Sequence, residues 1–116
     1  MRIAVKGSFR FRKKERITEP QDFRRVIRLG RRRSSRSFKL FIQKSDKTFH
    51  RLGIVVKKET GPAAFRNRMK RYIREFFRLN KHKIEGSYDI VLMIRRGCSF
   101  DRYREAEKEL RGLFIL

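Results

Sequence analysis

Residues 52–78, LGIVVKKETGPAAFRNRMKRYIREFFR, change their period at Gly61-Pro62. Before the break, Leu52, Ile54 and Val56 alternate with Gly53, Val55 and Lys57, the two-residue repeat of a strand. After it, Phe65, Met69, Tyr72, Ile73, Phe76 and Leu79 recur at three- and four-residue spacing. At about 100° per residue they fall within roughly 120° of arc. The spacing therefore predicts a helix from about Ala63 to about Lys81 with one buried stripe. Asn67, Lys70, Arg71, Arg74 and Arg78 fall on the opposite side, with Arg66 and Arg68 on the flanks and Glu75 off the basic face. Between residues 63 and 78, six cations stand against one acid. Like charges four apart on a helix repel. A solvated helix face usually mixes signs in Glu–Lys pairs; a ridge of cations with no acid to neutralise it suits an anionic backbone.

The same reading extends outward from this helix. Upstream, SFKLFIQK (residues 37–44) alternates as a strand, with Phe38, Leu40 and Ile42 on one face and Lys39, Phe41 and Gln43 on the other. SDKTF (45–49) reads as a hairpin loop to the strand that begins near Arg51. TEPQDFRRVIRLG (18–30) reads as a short helix, with a Thr18/Gln21 capping box, Pro20 in the first turn and Gly30 as the stop. RRRSSR (31–36) reads as a basic loop. Residues 1–16 carry cations without a steady period and read as an arm, mobile or loosely docked. Downstream, YDIVLMI (88–94) is apolar on both faces, as a central strand requires. From Ser99 or Asp101 onward, Tyr103, Ala106, Leu110, Leu113 and Phe114 recur at helical spacing. The expectation is one α+β domain over residues 1–116, a small mixed sheet with helices.

Charge sharpens the functional reading. The chain has 34 Lys and Arg against 12 Asp and Glu, a net charge of +22. Residues 1–36 carry 14 − 3 = +11, residues 37–56 carry 4 − 1 = +3, residues 57–83 carry 10 − 2 = +8, and residues 84–116 carry 6 − 6 = 0. Charge serving solubility alone needs no such asymmetry; a nucleic-acid footprint does. No stretch approaches the roughly 18 apolar residues of a membrane span, and the first residues lack a signal-peptide core, so a cytoplasmic protein is expected. Cys98 is the lone cysteine, which leaves no disulfide framework and no cysteine metal site. His50 and His82 have no carboxylate at ligand spacing, and Asp22, Asp46, Asp89 and Asp101 are scattered through caps and turns. No catalytic or metal constellation stands out. The basic helix follows a strand rather than a second helix, which argues against a helix-turn-helix on duplex DNA. Its long cations position a backbone and read little sequence, as in recognition of structured RNA.

Residues 52–78 also resemble the signature of the bacterial ribonuclease P protein subunit, chiefly through the Arg66-Asn67-Arg68 run followed by Lys70-Arg71. DFRRVIRLG (22–30) is similar to that family's first helix, and YDIVLMIRR (88–96) to its last strand. The departures are local: the Lys57-Lys58 pair sits one residue early relative to Gly61, Pro62 precedes Ala63, and Ala64 stands where valine is usual. The resemblance implies an αβββαβα order with a left-handed crossover around the basic helix, against the usual right-handed preference. It implies a non-catalytic subunit of the ribonuclease P holoenzyme, one protein per RNA. The RNA subunit would carry out Mg²⁺-dependent removal of the 5′ leader from precursor tRNA.

Two groups of residues follow as site candidates. Arg66, Asn67, Arg68, Lys70, Arg71 and Arg74 are expected to bind the RNA subunit. Phe23, Ile27, Lys39, Phe41, Lys57 and Lys58 are expected to hold the leader, in a cleft that the resemblance puts between the first helix and the sheet. On this reading Phe41 is free to stack on a base and contributes little to folding, whereas for Phe23 and Ile27 plain helix-to-sheet packing is an equal alternative. Phe9 and Phe11 either stack on bases or dock the arm. A ribosomal-type RNA-binding structural protein is the alternative class; it would share the charge but have no reason to prefer precursor over mature tRNA.

Overall fold

The computed structural model describes residues 10–115. Three helices and four strands follow one another as α1 (Pro20–Leu29), β1 (Arg31–Ser34), β2 (Phe38–Lys44), β3 (Arg51–Val55), α2 (Ala63–Asn80), β4 (Tyr88–Ile94) and α3 (Tyr103–Phe114), with single 3₁₀ turns at Lys13–Glu15, Lys58–Thr60 and Lys81–Lys83. The strands form one mixed sheet in the order β1-β2-β4-β3. β1 and β4 each run antiparallel to β2, while β3 runs parallel to β4 across the α2 connection.

Two expectations from sequence are corrected by this topology. The Arg/Ser run is not a loop: Arg31–Ser34 is an edge strand in register with β2, from Arg31↔Ile42 to Ser34↔Lys39. All four of its side chains are exposed, so no alternation marks it, and its cations suit a strand that must not pair with another chain. β2 and β3 form no hairpin either. β4, apolar on both faces, inserts between them and satisfies its backbone on both edges.

The sheet divides the interior in two. On one face Phe38, Leu40, Leu52, Ile90, Leu92 and Ile94 pack under α2 and α3 against Met69, Ile73, Phe76 and Leu110. On the other, Phe41 and Val91 pack with Val26 of α1 and with Ile17. The strand alternation read from sequence is right, but Phe41 is 5% exposed. The reason is that α1 lies over it, bringing Phe23 and Ile27 onto the same cluster. Gly53 shows how close α1 comes: a Cβ there would sit 2.5 Å from a Phe23 ring carbon. α1 starts one residue later than a Thr18 cap would give, with Glu19 as its N-cap. Ile17 N–H donates to Leu52 O at 2.9 Å, which keeps the preceding chain extended beside β3.

Phe77, outside the predicted stripe, is buried as well, because the end of the arm covers it: Phe11 meets it edge-on at 5.4 Å. Residues 10–16 are thus docked, and Phe11 serves packing. Glu15 and Lys81, both buried, form an ion pair at 2.6 Å, and Lys81 Nζ also donates to Arg10 O. Residues 1–9, with Phe9, lie outside the described residues. The β1–β2 turn is fastened by α3, since Glu109 accepts from Ser37 N–H at 2.7 Å and from the Ser35 hydroxyl.

Both sheet faces therefore contribute to stability. Phe38→Ala and Phe41→Ala are each expected to cost about 3–5 kcal/mol, measured as a fall in urea midpoint at unchanged slope; a Phe41 variant that unfolds like wild type would contradict the packing. Gly53→Ala should also lower the midpoint, because its methyl would meet the Phe23 ring and the Ile17 side chain, which must shift to admit it.

Candidate nucleic-acid interface

The cation ridge lies on the outer side of α2. Asn67, Arg71 and Arg74 are exposed, and Arg66, Arg68 and Lys70 are half-buried at its margins. Arg66 and Arg68 are partly sunk into the margins of the ridge. Their Nε atoms are buried with no acceptor among the described residues. The Arg68 guanidinium lies over the Phe65 ring at 5.8 Å and donates to Phe100 O at 3.4 Å. These contacts restrain Arg68, and a guanidinium at either position carries the fork geometry that suits phosphate oxygens. The first turn of α2 contains no acid, so the positive end of the helix dipole adds to the same field.

Arg78 departs from the expected ridge. Glu75 accepts from its Nε at 3.1 Å and its Nη2 at 2.8 Å. The hydrogen bonds hold the Glu75 carboxyl below the usual carboxylate range and push the Arg78 guanidinium up. The ridge is therefore free of acid toward the start of α2 and neutralised near its end.

The second candidate group flanks α1. Cross-strand register places Lys39, Met93 and Val55 in one row on the α1 face, and all three are half-buried. The next row, Phe41, Val91 and Gly53, is the one α1 covers. Beside the open row lies a groove of about 390 Å³ whose lining includes Lys39, Lys57, Met93, Arg95 and Arg96. Phe23 and Ile27 form the α1 side of this face and pack on the second cluster. Lys57 and Lys58 are exposed on the stretch leading into α2. Phe41 lies beneath them and cannot stack on a ligand without displacing α1. Sequence reasoning missed Met93, Arg95 and Arg96; the Arg pair directly after β4 was the available signal.

The scattered aspartates have structural work instead. Asp89, buried at the start of β4, accepts from Arg51 Nε at 2.9 Å and Nη2 at 2.7 Å, and from Arg25 Nη2 at 2.5 Å. Arg25 also donates to Asp22 at 2.9 Å and to Gln43 at 3.0 Å. The network ties α1 to β2, β3 and β4 at the end of the sheet remote from Lys39. Burial alone would raise the Asp89 carboxyl, but hydrogen bonds and charge from the two arginines outweigh it and hold it below its ordinary value. His50 is a packing residue: Tyr88 N–H donates to Nδ1 at 3.0 Å, and Nε2 lies 2.9 Å from Ile84 O. Among the described residues no three His, Cys, Asp or Glu side chains come together as a metal site, and no helix is long and apolar enough to cross a membrane.

With this geometry in place, comparison with known proteins gives one consistent result. The family model for ribonuclease P matches residues 11–115. The ribonuclease P protein component of Syntrophobacter fumaroxidans is 42% identical over 112 residues, covering 96% of this chain and 94% of the relative. That of Syntrophus aciditrophicus is 38% identical over 99 residues, covering 85% and 83%. Among solved structures, the ribonuclease P protein of Thermotoga maritima superposes with a TM-score of 0.78 at 32% identity, covering 88% of this chain and 97% of that one. The protein from Staphylococcus aureus gives 0.80 at 29% identity, covering 87% and 93%.

The Asp89 network predicts an acid limb. A carboxyl depressed in the folded state contributes stability that is full above its unfolded pKa, about 3.9, and is lost as pH falls through the folded value. Wild-type stability should decline below about pH 4. Asp89→Asn should be less stable at pH 7 and decline less steeply in acid, as read from urea midpoints across pH 2.5–7.

Proposed function

The chain belongs to the ribonuclease P protein family, and from that premise we propose that it is the protein subunit of a cytoplasmic ribonucleoprotein that removes the 5′ leader of precursor tRNA. The observation that carries the reading is the acid-free part of the α2 ridge. Arg66, Asn67, Arg68, Lys70, Arg71 and Arg74 meet the sugar-phosphate backbone of the RNA subunit, one protein per RNA. Phosphate contacts of this kind fix register and orientation without reading sequence. Half-buried Arg66 and Arg68 are the anchors, because partly buried side chains have less freedom to lose on contact, and Arg68 is further held by Phe100 O and the Phe65 ring.

The leader of precursor tRNA runs along the open row beside α1. Lys39 and Lys57 meet its phosphates, Lys58 adds to the field, and Phe23 and Ile27 wall the passage. Phe41 supports that wall from below. The exposed floor nearest the cations is Met93 with Val55, so apolar contact replaces the aromatic stacking expected of Phe41.

The hydrolytic chemistry belongs to the RNA. Mg²⁺ in this reading is held by the RNA subunit and the substrate, while Asp89 and Asp22 are already held by arginines and Glu15 by Lys81. The protein binds, orients and neutralises charge; no proton transfer is assigned to its side chains.

Reconstitution tests the assignment. Protein combined with a ribonuclease P RNA and Mg²⁺ should cleave the leader from precursor tRNA at protein-dependent rates, whereas protein freed of all RNA subunit should leave the substrate intact. Cleavage by protein alone, abolished by changing one acidic residue, would overturn the division of labour. Single Ala replacements of Arg66, Arg68, Lys70 and Arg71 should weaken assembly and reduce the salt slope by about one per lost phosphate contact. Lys39→Ala should weaken precursor tRNA binding and spare mature tRNA; equal loss of both would favour a general RNA-binding structural role.

A further inference from the structure

Residues 97–102, GCSFDR, join β4 to α3. Gly97 begins them at a φ of 88°, a left-handed conformation that favours glycine. Cys98 and Phe100 then turn inward and are buried in the cluster under α2 and α3. The Phe100 ring stacks on Phe38 at 5.7 Å, and Cys98 Sγ lies 3.8 Å from Met69 Sδ. Glu105 fixes the far end from α3, accepting from Asp101 N–H at 2.9 Å and from Arg102 N–H at 3.2 Å. The turn is thus tied to β2, α2 and α3 at once. Its carbonyls also meet α2. Phe100 O accepts from Arg68 Nη2 at 3.4 Å, and Asp101 O accepts from the Tyr72 hydroxyl at 3.3 Å. Residues 68 and 72 stand about one helical turn apart on one side of the helix, so the two bonds run the turn alongside the acid-free part of the ridge.

The kind of acceptor matters. Glu75 holds Arg78 with a carboxylate and offsets its charge. The Phe100 carbonyl is neutral, so it holds Arg68 and leaves the full charge for an anion. Asp101 likewise offers α2 its main-chain oxygen and not its carboxylate. A phosphate contact weakens when a long side chain must be immobilised to make it. A neutral restraint removes that loss without removing the attraction. Packing accounts for the burial of Cys98 and Phe100, but packing alone requires no bond from the turn to a cation.

We propose that the 97–102 turn is a positioning element for the α2 ridge, with Phe100 as its positioning residue, keeping Arg68 restrained and fully charged for a phosphate of the RNA subunit. The inference rests on the proposed function, which assigns Arg68 to that RNA, and adds how the contact is prepared. Neither Phe100 nor Tyr72 touches RNA: Phe100 anchors the turn to the core, Tyr72 fastens it to α2, and both act through Arg68.

Tyr72→Phe and Phe100→Leu test the proposal, since both loosen the turn and neither removes a charge. The affinity of each full-length variant for ribonuclease P RNA is followed across salt, beside Arg68→Ala and the two double variants. Urea midpoints identify any variant that folds poorly, and Tyr72→Phe, which keeps its ring, decides the matter if Phe100→Leu does. Each single variant should lose between about twofold and tenfold in affinity, the cost of ordering one long side chain, at an unchanged salt slope. Arg68→Ala should lower the slope by about one, and in that background Tyr72→Phe and Phe100→Leu should cost nothing further. A merely structural role would weaken assembly equally with or without Arg68. Wild-type affinity in Tyr72→Phe and Phe100→Leu, or a loss that persists undiminished beside Arg68→Ala, would overturn the positioning role alone. Failure of the unsubstituted chain to assemble with the RNA would instead sink the proposed function.

Discussion

Ile90, Val91 and Leu92 have no solvent exposure, and their alternation along β4 sends neighbours into opposite halves of the interior. Ile90 and Leu92 join the cluster under α2 and α3; Val91 joins the one under α1. A strand buried on both faces and paired on both edges leaves no position for a cation. Most of the basic residues among those described are consequently driven to the perimeter, where desolvation costs are small, and Lys81, the buried exception, is paired with Glu15. The outer side of α2, the Lys57-Lys58 stretch and the β1 edge are where they gather. Compaction at a net charge of +22 opposes itself through repulsion, so the apolar density of β4 is what allows a chain this basic to fold.

Much of this was legible from periodicity. β4 as a central strand, the apolar stripe of α2 and the alternation of β2 and β3 were all read from spacing, because each buries a regular pattern. What escaped lacked pattern. Arg31–Ser34 is a strand only because β2 offers it a free edge, and four exposed side chains carry no period. β2 and β3 are adjacent in sequence but not in the sheet, because β4 has the stronger claim on both partners. Phe77 was missed because the segment that buries it arrives from residue 11, far away in the chain.

The site divides along the same line. The α2 ridge was legible because one helix supplies it, and only the Glu75–Arg78 bond modified it. Phe41 was assigned to the correct face and the wrong depth, since alternation gives direction but not what lies above. The pairs Glu15–Lys81 and Asp89 with Arg25 and Arg51 join residues from distant parts of the chain, and nothing local announces them. They give several of the few acids in so basic a protein a structural role. They fasten the arm and α1 to the rest of the fold.

The strand order also has a consequence for how the chain comes together. Only β1 and β2 pair locally; both ladders of β4 close over long sequence separations, the second across the whole of α2. High contact order of this kind slows folding. During synthesis, β2 and β3 emerge with edges whose native partner, β4, is absent until Ile94 has left the ribosome. Lys39, Lys44 and Arg51 lie along those waiting edges, where charge discourages pairing with a neighbouring nascent chain. These cations thus act as gatekeepers during biosynthesis, guarding a sheet that is not complete until β4, a central strand, arrives last.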